Sequence, residues 1–391
     1  VGSNTYGSSI NNVYATGDVK GSGSVGGSVG GLVGYNATTS NVDGVTKASI
    51  SNAYSTGSVT GFSLVGGLVG ENDANATISN VYATGVVNGS NSGGLVGGNG
   101  TTASITNAYW NTETSGKANG LGSGSTTGVT GLSTAQMKQG ASFVGFDIDG
   151  QGGTGKVWRI YEGQTNPLLR SFLTQATLGT VANQSKTYNG QMQSVDLSGV
   201  SLAGLDSSKI FAGQSSSKNV GTYNAGYYSN QQGYDFVGGN ASLTITKANL
   251  AITGLSAVNK VYDTNTVATL TGTPTIAQFG SDSVTLGGDV VAAFANKNVG
   301  TNKAVTVTGF TLSGADAGNY NLVQPTGLKA NISKADLALA GLSAGNKVYN
   351  GNTLADLFGT ASVSPLGSDA VVLSGTGIAN FADKNVGNNK T

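Results

Sequence analysis

The sequence predicts an all-β protein in which a parallel β-helix (solenoid) with an end cap is followed by tandem small β-sandwich modules. Glycine supplies 64 of 391 residues, yet 38 % of residues are hydrophobic and only 4 are proline, which argues against collagen and against disorder. Asn, Thr, Ser and Gly dominate, and these residues are weak in helix interiors but common in turns. Two sets of segments recur along the chain, which indicates repeated structural units.

The first set of repeats is organised around a tyrosine. The segments are INNVYATG (10–17), ISNAYSTG (50–57), ISNVYATG (78–85) and ITNAYWNT (105–112). Their tyrosines lie 40, 28 and 27 residues apart, at Tyr14, Tyr54, Tyr82 and Tyr109. Apolar residues alternate with Ser, Thr and Asn, as in a strand with one buried face. Because a single coil of three such strands cannot bury that face, we expect the units to stack, each adding a layer of about 4.8 Å.

A glycine-rich element lies between the tyrosine segments. It reads VGGLVGYN (29–36), VGGLVGEN (65–72) and SGGLVGGN (92–99). The paired glycines before Leu68 and Leu95 predict tight corners or a close approach of neighbouring backbones. The asparagines that end the element predict left-handed corners and a coil-to-coil hydrogen-bond ladder through Asn36, Asn72 and Asn99.

Residues 1–115 resemble the GLUG motif of large bacterial surface exoproteins, in which G-G-L-V-G is followed by I-S-N-x-Y-x-T-G. Those exoproteins are the filamentous-haemagglutinin-like adhesins exported by two-partner secretion. The resemblance implies GLUG-type β-helix repeats over 1–130. The stretch GLSTAQMKQGASFVGFDI…VWRIYEGQTNPLLRSF (131–172) resembles the segment that closes such arrays.

Residues 131–175 are expected to form the capping segment of the β-helix. The last coil of a solenoid exposes an apolar face and an unpaired strand edge, so it needs cover. We expect the cover to come from six apolar side chains, Phe143, Phe146, Trp158, Ile160, Leu168 and Leu169.

The glycines of DIDGQGGTGKVW (147–158) admit more than one interpretation. Gly150, Gly155 and Lys156 have the spacing of a phosphate-binding loop, but Val157 stands where that loop needs Ser or Thr. A turn that leads into a strand explains the glycines more simply.

Two aspartates in the same stretch are candidate metal ligands. Asp147 and Asp149 have the spacing that opens a calcium loop, although Trp158 stands where an EF-hand loop needs Glu. Calcium, in a looser oxygen cage, is therefore the one candidate cofactor.

The second half of the chain carries a different repeat. SKTYNG (185–190) recurs as NKVYDT (259–264) and NKVYNG (346–351), with the tyrosines 74 and 87 residues apart. SKNVGTY (217–223) recurs as NKNVGTN (296–302) and DKNVGNN (383–389). These intervals predict a first module at 176–248, a second at 249–335 and an incomplete third at 336–391.

The modules resemble the YDG/MBG family of repeats, which is found downstream of GLUG arrays in the same exoproteins. The resemblance covers about 180–391 and rests on the K-x-Y-[DN]-G element and the K-N-V-G turn. In the second module, Asp316, Gly318 and Tyr320 have the D-x-G-x-Y spacing of the tyrosine corner of immunoglobulin-like sandwiches. We expect each module to be immunoglobulin-like or β-grasp-like.

Composition narrows the function classes. Lys+Arg and Asp+Glu both number 19, so no net field favours nucleic acid, and no apolar run is long enough to insert in a membrane. Cysteine and histidine are absent, which removes disulfides, thiolate metal sites and the commonest general base. The chain starts and stops inside repeats, so we expect a fragment of a longer protein.

Three functions compete. The leading one is a secreted or cell-surface bacterial adhesin fragment that forms an extended rod for cell–cell, surface or biofilm-matrix attachment, or serves only as a spacer. Its partners would be exopolysaccharide, a host-surface glycan or protein, and the outer-membrane pore during export. The second is carbohydrate binding, with Tyr14, Tyr54, Tyr82 and Tyr109 as a stripe for glycan stacking, although such a stripe is more often structural.

The third function is that of a polysaccharide-degrading β-helix enzyme. Such enzymes cluster acids or bases on one side of the solenoid. The solenoid region offers only scattered acids, namely Asp18, Asp43, Glu71, Asp73 and Glu113. We therefore expect no enzyme and no catalytic residue.

Overall fold

The computed structural model describes residues 1–22, 27–38 and 46–391, which divide into two compact units. The first unit comprises residues 1–186, 192–217 and 221–244, and the second comprises 187–191, 218–220 and 245–391. The all-β prediction is confirmed. Within the described ranges, helical structure is limited to 3-10 turns at Gln136–Lys138, Gly140–Ser142, Arg170–Phe172, Ser207–Lys209 and Ala317–Asn319.

The first unit begins with a parallel β-solenoid, as predicted. Two five-stranded parallel sheets run through the stacked coils. One contains Ser3–Thr5, Val33–Ala37, Val69–Asp73, Val96–Asn99 and Leu121–Ser123, and the other contains Ser9–Ala15, Ser49–Ser55, Thr77–Ala83, Ser104–Asn111 and Val129–Leu132. Two short parallel sheets complete the coils, Val19–Lys20 with Val59–Thr60 and Val87–Asn88, and Val29–Gly30 with Val65–Gly66 and Ser92–Gly93. A coil therefore has four strands, one more than the apolar pattern predicts, because two of them are only two residues long.

A left-handed residue sets the direction of the side chains in each tyrosine strand. Asn80 has a φ of 51°, and its equivalents in the other three coils, Asn12, Asn52 and Asn107, are also left-handed. Strict alternation from Ile78 would place Tyr82 inside the solenoid. The left-handed residue shifts the alternation by one, so that Ile78 and Val81 enter the core while Tyr82 faces outward. Left-handed asparagines thus occur in the tyrosine element, whereas the sequence indicated the element that ends in Asn36, Asn72 and Asn99.

The core of the solenoid is a stack of aliphatic side chains. It includes Ile50 and Ile78, Leu68 and Leu95, and their neighbours, all almost fully buried. Trp110 takes the place held by Ala83 one coil earlier and fills the interior at the last full coil. The paired glycines are confirmed as points of close approach, because a Cβ on Gly67 would lie 2.3 Å from the carbonyl oxygen of Gly94.

A ladder of asparagine side chains links the coils. The side-chain amide of Asn4 donates to Oδ1 of Asn36 at 2.7 Å, that of Asn36 to Asn72 at 2.7 Å, and that of Asn72 to Asn99 at 2.9 Å. All four side chains are buried, so each amide relies on its neighbours for hydrogen bonds. The predicted coil-to-coil ladder is therefore present and extends one coil further, to Asn4.

The rest of the first unit continues the chain beyond the solenoid. Residues 131–173 contain a small sheet of Ile148–Asp149, Trp158–Arg159 and Leu168–Leu169. The following strands are Thr174–Thr177, Gln184–Thr187, Gln193–Ser194, Phe211–Gln214, Ser216–Ser217, Gly221–Tyr228, Tyr234–Val237 and Asn240–Thr246. One hydrophobic core, which includes Tyr161, Leu168, Leu178 and Phe236, contains side chains from residues 131–173 and from the strands that follow. This shared core explains why they fold as one unit with the solenoid.

The second unit contains a two-sheet module with its own core. One sheet orders Leu270–Ile276, Ala248–Ala257 and Tyr320–Val323, and the other orders Lys260–Val261, Lys329–Ser333, Gly300–Thr308 and Val291–Phe294. Thr285–Gly287 pairs with Thr311–Ser313. Both sheets mix parallel and antiparallel neighbours, unlike the antiparallel sheets of an immunoglobulin domain.

The next repeat in the second unit reproduces a hairpin of that module. Leu339–Ala344 pairs with Leu357–Val363, and Leu354–Ala355 pairs with Ala379–Asn380. The hairpin has a bulge at Gly341 and Gly359, as the earlier hairpin has at Gly254 and Gly272, and all four glycines have positive φ. The bulge recurs because these positions need a backbone conformation that other residues rarely adopt.

Candidate functional site

The four tyrosines singled out in the sequence lie in register on the flank of the solenoid. The rings of Tyr14 and Tyr54 stack at 5.3 Å, and those of Tyr54 and Tyr82 at 4.8 Å with an interplanar angle of 2°. Tyr54, Tyr82 and Tyr109 are buried, while Tyr14 is half-buried. Three of the four predicted glycan-stacking residues are therefore enclosed in a packed interface.

Residues 131–172 cover this tyrosine stripe, and we call them the flank segment. Trp158 contacts Tyr54 and Tyr82, with ring centroids 6.2 and 5.9 Å away, and Phe143 contacts Tyr82 and Tyr109. Phe146 and Leu169 belong to the same buried cluster, whereas Leu168 packs toward the following strands and Ile160 is buried elsewhere in the segment. Apolar residues expected to cover the end of the solenoid thus pack along its side.

The tyrosine hydroxyls fix this packing with hydrogen bonds. Tyr82 donates to the carbonyl of Pro167 at 2.6 Å, and Tyr109 donates to that of Val144 at 2.8 Å. Tyr54 donates to Oε1 of Gln231 at 2.9 Å. Burial raises the pKa of Tyr54 and Tyr82 well above the ordinary value, so both remain neutral donors.

A buried ionic cluster joins the flank segment to the strands that follow it. Asp235 is 3 % exposed and lies 3.1 Å from Nε of Arg159 and 2.5 Å from Arg170. The backbone N–H of Gly153 also donates to Asp235, at 2.9 Å. The glycines of DIDGQGGTGKVW thus bring backbone close to a buried carboxylate of the protein itself.

The structure places the candidate calcium ligands on the surface of the flank segment. Oδ1 of Asp147 accepts from the ammonium of Lys156 at 2.7 Å, and Oδ2 accepts from the N–H of Val157 at 3.1 Å. These hydrogen bonds hold the pKa of Asp147 below its ordinary value. Asp149 accepts from the N–H of Gln151 at 2.5 Å. Calcium binding stays a prediction, and a melting temperature that falls on adding a chelator is its test.

Three of the five scattered acids accept hydrogen bonds, two from a neighbouring coil and one from the flank segment. Asp18 accepts from the N–H of Ser58 at 2.7 Å, Glu71 from the hydroxyl of Ser28 at 2.8 Å, and Glu113 from the N–H of Thr134 at 3.0 Å. Hydrogen bonds hold the pKa of Asp18 and of Glu113 below the ordinary values. Asp43 lies outside the described residues, and Asp73 is the half-buried last residue of the strand Val69–Asp73. Among the described residues, no group of three or more His, Cys, Asp or Glu side chains converges on a point.

A polar groove opens between the flank segment and the strands that follow it. Its volume is about 930 Å³, and the strand Gly221–Tyr228 forms one wall. Tyr223, Tyr227 and Tyr228 are half-buried there, and Glu162 and Gln164 of the flank segment also line the groove. Sequence reasoning missed this groove because its two walls come from segments about 60 residues apart, which no local pattern connects.

The second unit contains a buried aspartate, Asp282, that accepts hydrogen bonds from three side chains. We call this arrangement the Asp282 clasp. The hydroxyls of Tyr188 and Tyr320 both donate to Oδ2 of Asp282, the latter at 2.7 Å, and Lys218 donates to Oδ1 at 3.1 Å. Although burial raises the pKa of Asp282, these donors together hold it below the ordinary value. Asp282 therefore stays ionised at neutral pH.

A second copy of this arrangement, the Asp369 clasp, lies in the same unit. Tyr262 donates to Oδ2 of Asp369 at 2.5 Å, and Lys297 donates to Oδ1 at 3.0 Å. The hydrogen bonds from Tyr262 and Lys297 hold the pKa of Asp369 below its ordinary value. A cavity of about 330 Å³ adjoins Tyr262 and Asp369.

The clasps account for the motifs of the second half of the chain. Each tyrosine comes from a K-x-Y element, each lysine from a K-N-V-G turn, and each aspartate from a Gly-Ser-Asp turn. The Gly-Ser-Asp turns went unnoticed in the sequence, although Asp282 and Asp369 are separated by the same 87 residues as Tyr262 and Tyr349. The tyrosine-corner pattern also has a different role, because the hydroxyl of Tyr320 accepts from the distant N–H of Phe279 at 2.8 Å and reaches Asp282.

Comparisons with known families agree with both kinds of repeat. The model of the YDG domain matches residues 246–327 and 333–391, and the model of the GLUG motif matches residues 63–88. No curated protein and no solved structure matches the chain. GLUG and YDG domains are non-catalytic repeat domains found in extracellular, adhesin-like proteins, and the chain is similar to proteins that contain both. No helix in the described part of the chain has the length and apolar character needed to cross a membrane.

Proposed function

We propose that this chain is a non-catalytic part of a secreted or cell-surface bacterial adhesin of the filamentous-haemagglutinin type, exported by two-partner secretion. The observation that carries the proposal is the combination of two unlike repeat systems, GLUG-type coils and YDG-type modules, in one chain. Each stacked coil lengthens a solenoid by one strand spacing, about 4.8 Å, and the same repeat sequence can be used for every coil. Repeats of this kind suit a stalk that holds a binding region away from the cell and contributes to attachment in a biofilm.

Display on a cell that does not adhere tests this proposal. The 391-residue chain is presented on the surface of a non-aggregating bacterium, and the retention of cells on a biofilm matrix is measured. We expect retention several-fold above that of cells displaying an unrelated β-solenoid of equal length. Equal retention by the two strains would refute an adhesive role for this region.

Carbohydrate binding is the second candidate function, and the polar groove favours it. Sugar rings stack on aromatic faces while hydroxyls bond to amides and carboxylates, and the groove combines both kinds of group. Tyr223 and Tyr227 supply the rings, and Asn224, Glu162 and Gln164 supply polar atoms. The proposed glycan surface thus moves from the buried tyrosine stripe to this groove, with an exopolysaccharide or a host glycan as the ligand.

Affinity electrophoresis in gels that contain neutral or acidic polysaccharides tests the groove. We expect one of the polysaccharides to retard the wild-type chain, and Tyr227→Ala to reduce that retardation at least several-fold. Tyr6→Ala is the matched control, because Tyr6 is 79 % exposed and lies on the solenoid. Unretarded migration in every gel, or an equal effect of the two substitutions, would exclude a glycan site in the groove.

A further inference from the structure

The two aspartate clasps show a rule for how successive repeats recognise each other. In both, a K-x-Y tyrosine and a K-N-V-G lysine bind an aspartate that comes later in the chain. Asp282 follows Lys218 by 64 residues, and Asp369 follows Lys297 by 72. The tyrosine and lysine of one repeat therefore form a binding site, and the Gly-Ser-Asp turn of the next repeat is its ligand. We call this binding site the acceptor, although its side chains donate the hydrogen bonds.

The two ligand turns share their conformation and their apolar neighbour. Gly280 and Gly367 both have positive φ, 50° and 55°, which favours glycine at this position of the turn. Phe279 precedes the first turn and lies 5.9 Å from the ring of Tyr188. Leu366 precedes the second and lines the cavity beside Tyr262. The acceptor therefore takes an apolar residue together with the carboxylate.

A third acceptor set lies in the last repeat. Tyr349 belongs to its K-x-Y element and Lys384 to its K-N-V-G turn. Tyr188, in the first clasp, is 1 % exposed, whereas Tyr349 is 58 % exposed and Lys384 is also exposed. Across the described ranges, neither the hydroxyl of Tyr349 nor the ammonium of Lys384 forms a hydrogen bond.

Apolar side chains beside this third set are also uncovered. Val348 and Val386 are 89 % and 88 % exposed. Their counterparts at the Asp369 clasp, Val261 and Val299, are 57 % and 47 % exposed. Val261 lies in a strand that pairs with Lys329–Ser333, whereas Val299 lines the cavity beside Asp369 together with Leu366. Binding of a Gly-Ser-Asp turn thus accompanies partial burial of Val299, and its counterpart Val386 has the exposure expected of the unbound state.

We propose that Tyr349 and Lys384 form an acceptor for the apolar-Gly-Ser-Asp turn of another module of this type. The hydroxyl and the ammonium donate hydrogen bonds to a carboxylate, and the exposed Val386 supplies an apolar contact for the residue before the glycine. This chain's own turns are not the ligand, because Asp282 and Asp369 are already bound. The inference does not rest on the adhesive function, since it concerns only how modules recognise one another.

Disulfide trapping between two copies of the 391-residue chain tests the proposal, because the sequence contains no cysteine. The donor chain carries Ser368→Cys beside Asp369, with Tyr262→Phe and Lys297→Ala to release its turn from the internal acceptor. The acceptor chain carries Asn385→Cys, which follows Lys384. A single chain with Ser368→Cys and Asn298→Cys is the positive control, since Asn298 and Asp369 line one cavity.

We expect the mixed disulfide between the donor chain and the Asn385→Cys acceptor chain to form at least tenfold faster than with a control acceptor chain. The control chain carries Ser364→Cys in place of Asn385→Cys, at an exposed position of the same repeat. Adding Lys384→Ala to the acceptor, or Asp369→Asn to the donor, should remove that advantage. If the positive control forms its disulfide but Asn385→Cys reacts no faster than Ser364→Cys, the proposal fails. It also fails if the rate is indifferent to both charge substitutions.

Discussion

Successive repeats are joined by different interactions in the solenoid and in the module array. Neighbouring coils share backbone ladders, one aliphatic core and the asparagine ladder, so no coil has a core of its own. The module at 248–333 has its own core, and the clasps add a few polar contacts to an aspartate. A disturbance in the solenoid should therefore spread through its unit, whereas a disturbance of a clasp should stay local.

The largest effect is expected from Trp158→Ala. Trp158 is fully buried between the tyrosine stripe and the rest of the flank segment, so its removal leaves a cavity. The expected cost is about 3–5 kcal/mol of unfolding free energy, typical for a buried tryptophan. Urea unfolding followed by far-UV circular dichroism measures it, with Val144→Ala as the control because Val144 is 73 % exposed. A loss equal to that of the control would show that the flank segment does not stabilise the solenoid.

The next effect is expected from Asn72→Ala in the middle of the asparagine ladder. The substitution leaves the buried amide of Asn36 without its acceptor and Asn99 without its donor. An unsatisfied buried polar group costs about 1–3 kcal/mol. Asn88→Ala, at an exposed position in a strand of the same solenoid, should be nearly neutral. If the two variants melt at the same temperature, the ladder contributes nothing measurable.

A smaller effect is expected from Tyr54→Phe. The variant keeps the ring stack but loses the hydrogen bond to Gln231, whose amide also bonds the backbone of Leu169. One such hydrogen bond contributes about 0.5–1.5 kcal/mol. Tyr6→Phe serves as the exposed control in the same chemical denaturation. A greater loss in the control than in Tyr54→Phe would contradict the proposed role of the hydroxyl.

The smallest effect is expected from acidification acting on the clasps. The folded-state pKa values of Asp282 and Asp369 lie below the ordinary value of 3.8, so the clasps stabilise the fold above that pH. This stabilisation is lost as the pH falls through the lowered folded-state values, because the unfolded chain binds the protons more readily. The difference in melting temperature between wild type and Asp369→Asn should therefore be smaller at pH 3 than at pH 7. A difference between them that is as large at pH 3 as at pH 7 would exclude an ionised clasp.

Much of the solenoid follows from its sequence, because each repeat carries the same local signals. The strand period, the paired glycines and the asparagine ladder depend on neighbours one coil away, and the repeat itself supplies that register. The tyrosine stripe was proposed from the repeat, but the left-handed backbone of Asn80 that turns Tyr82 outward was not predicted, because the sequence indicated left-handed residues in the other element. The position of the flank segment could not be predicted either. An exposed coil end and an exposed tyrosine stripe both require apolar cover, so the apolar residues of the segment do not show which of the two they cover.

The clasps illustrate a different limit of sequence reasoning. The K-x-Y and K-N-V-G motifs were visible as repeats, but nothing local shows that both bind one carboxylate. Tyr262 and Asp369 are 107 residues apart, and the aspartate belongs to the next repeat. A search for acids separated by the same interval as the tyrosines would have found Asp282 and Asp369.

Hydrogen exchange of the intact chain tests the central claim, that coils are coupled through a shared core and modules through local clasps. Amide exchange is compared between wild type and Asp369→Asn at pH 7, with peptides resolved by mass spectrometry. We predict faster exchange around Tyr262, Lys297 and residues 366–371, and unchanged exchange in the strands Thr77–Ala83 and Ser104–Asn111. Unchanged exchange at the clasp, or an equal increase in the solenoid strands, would contradict the account.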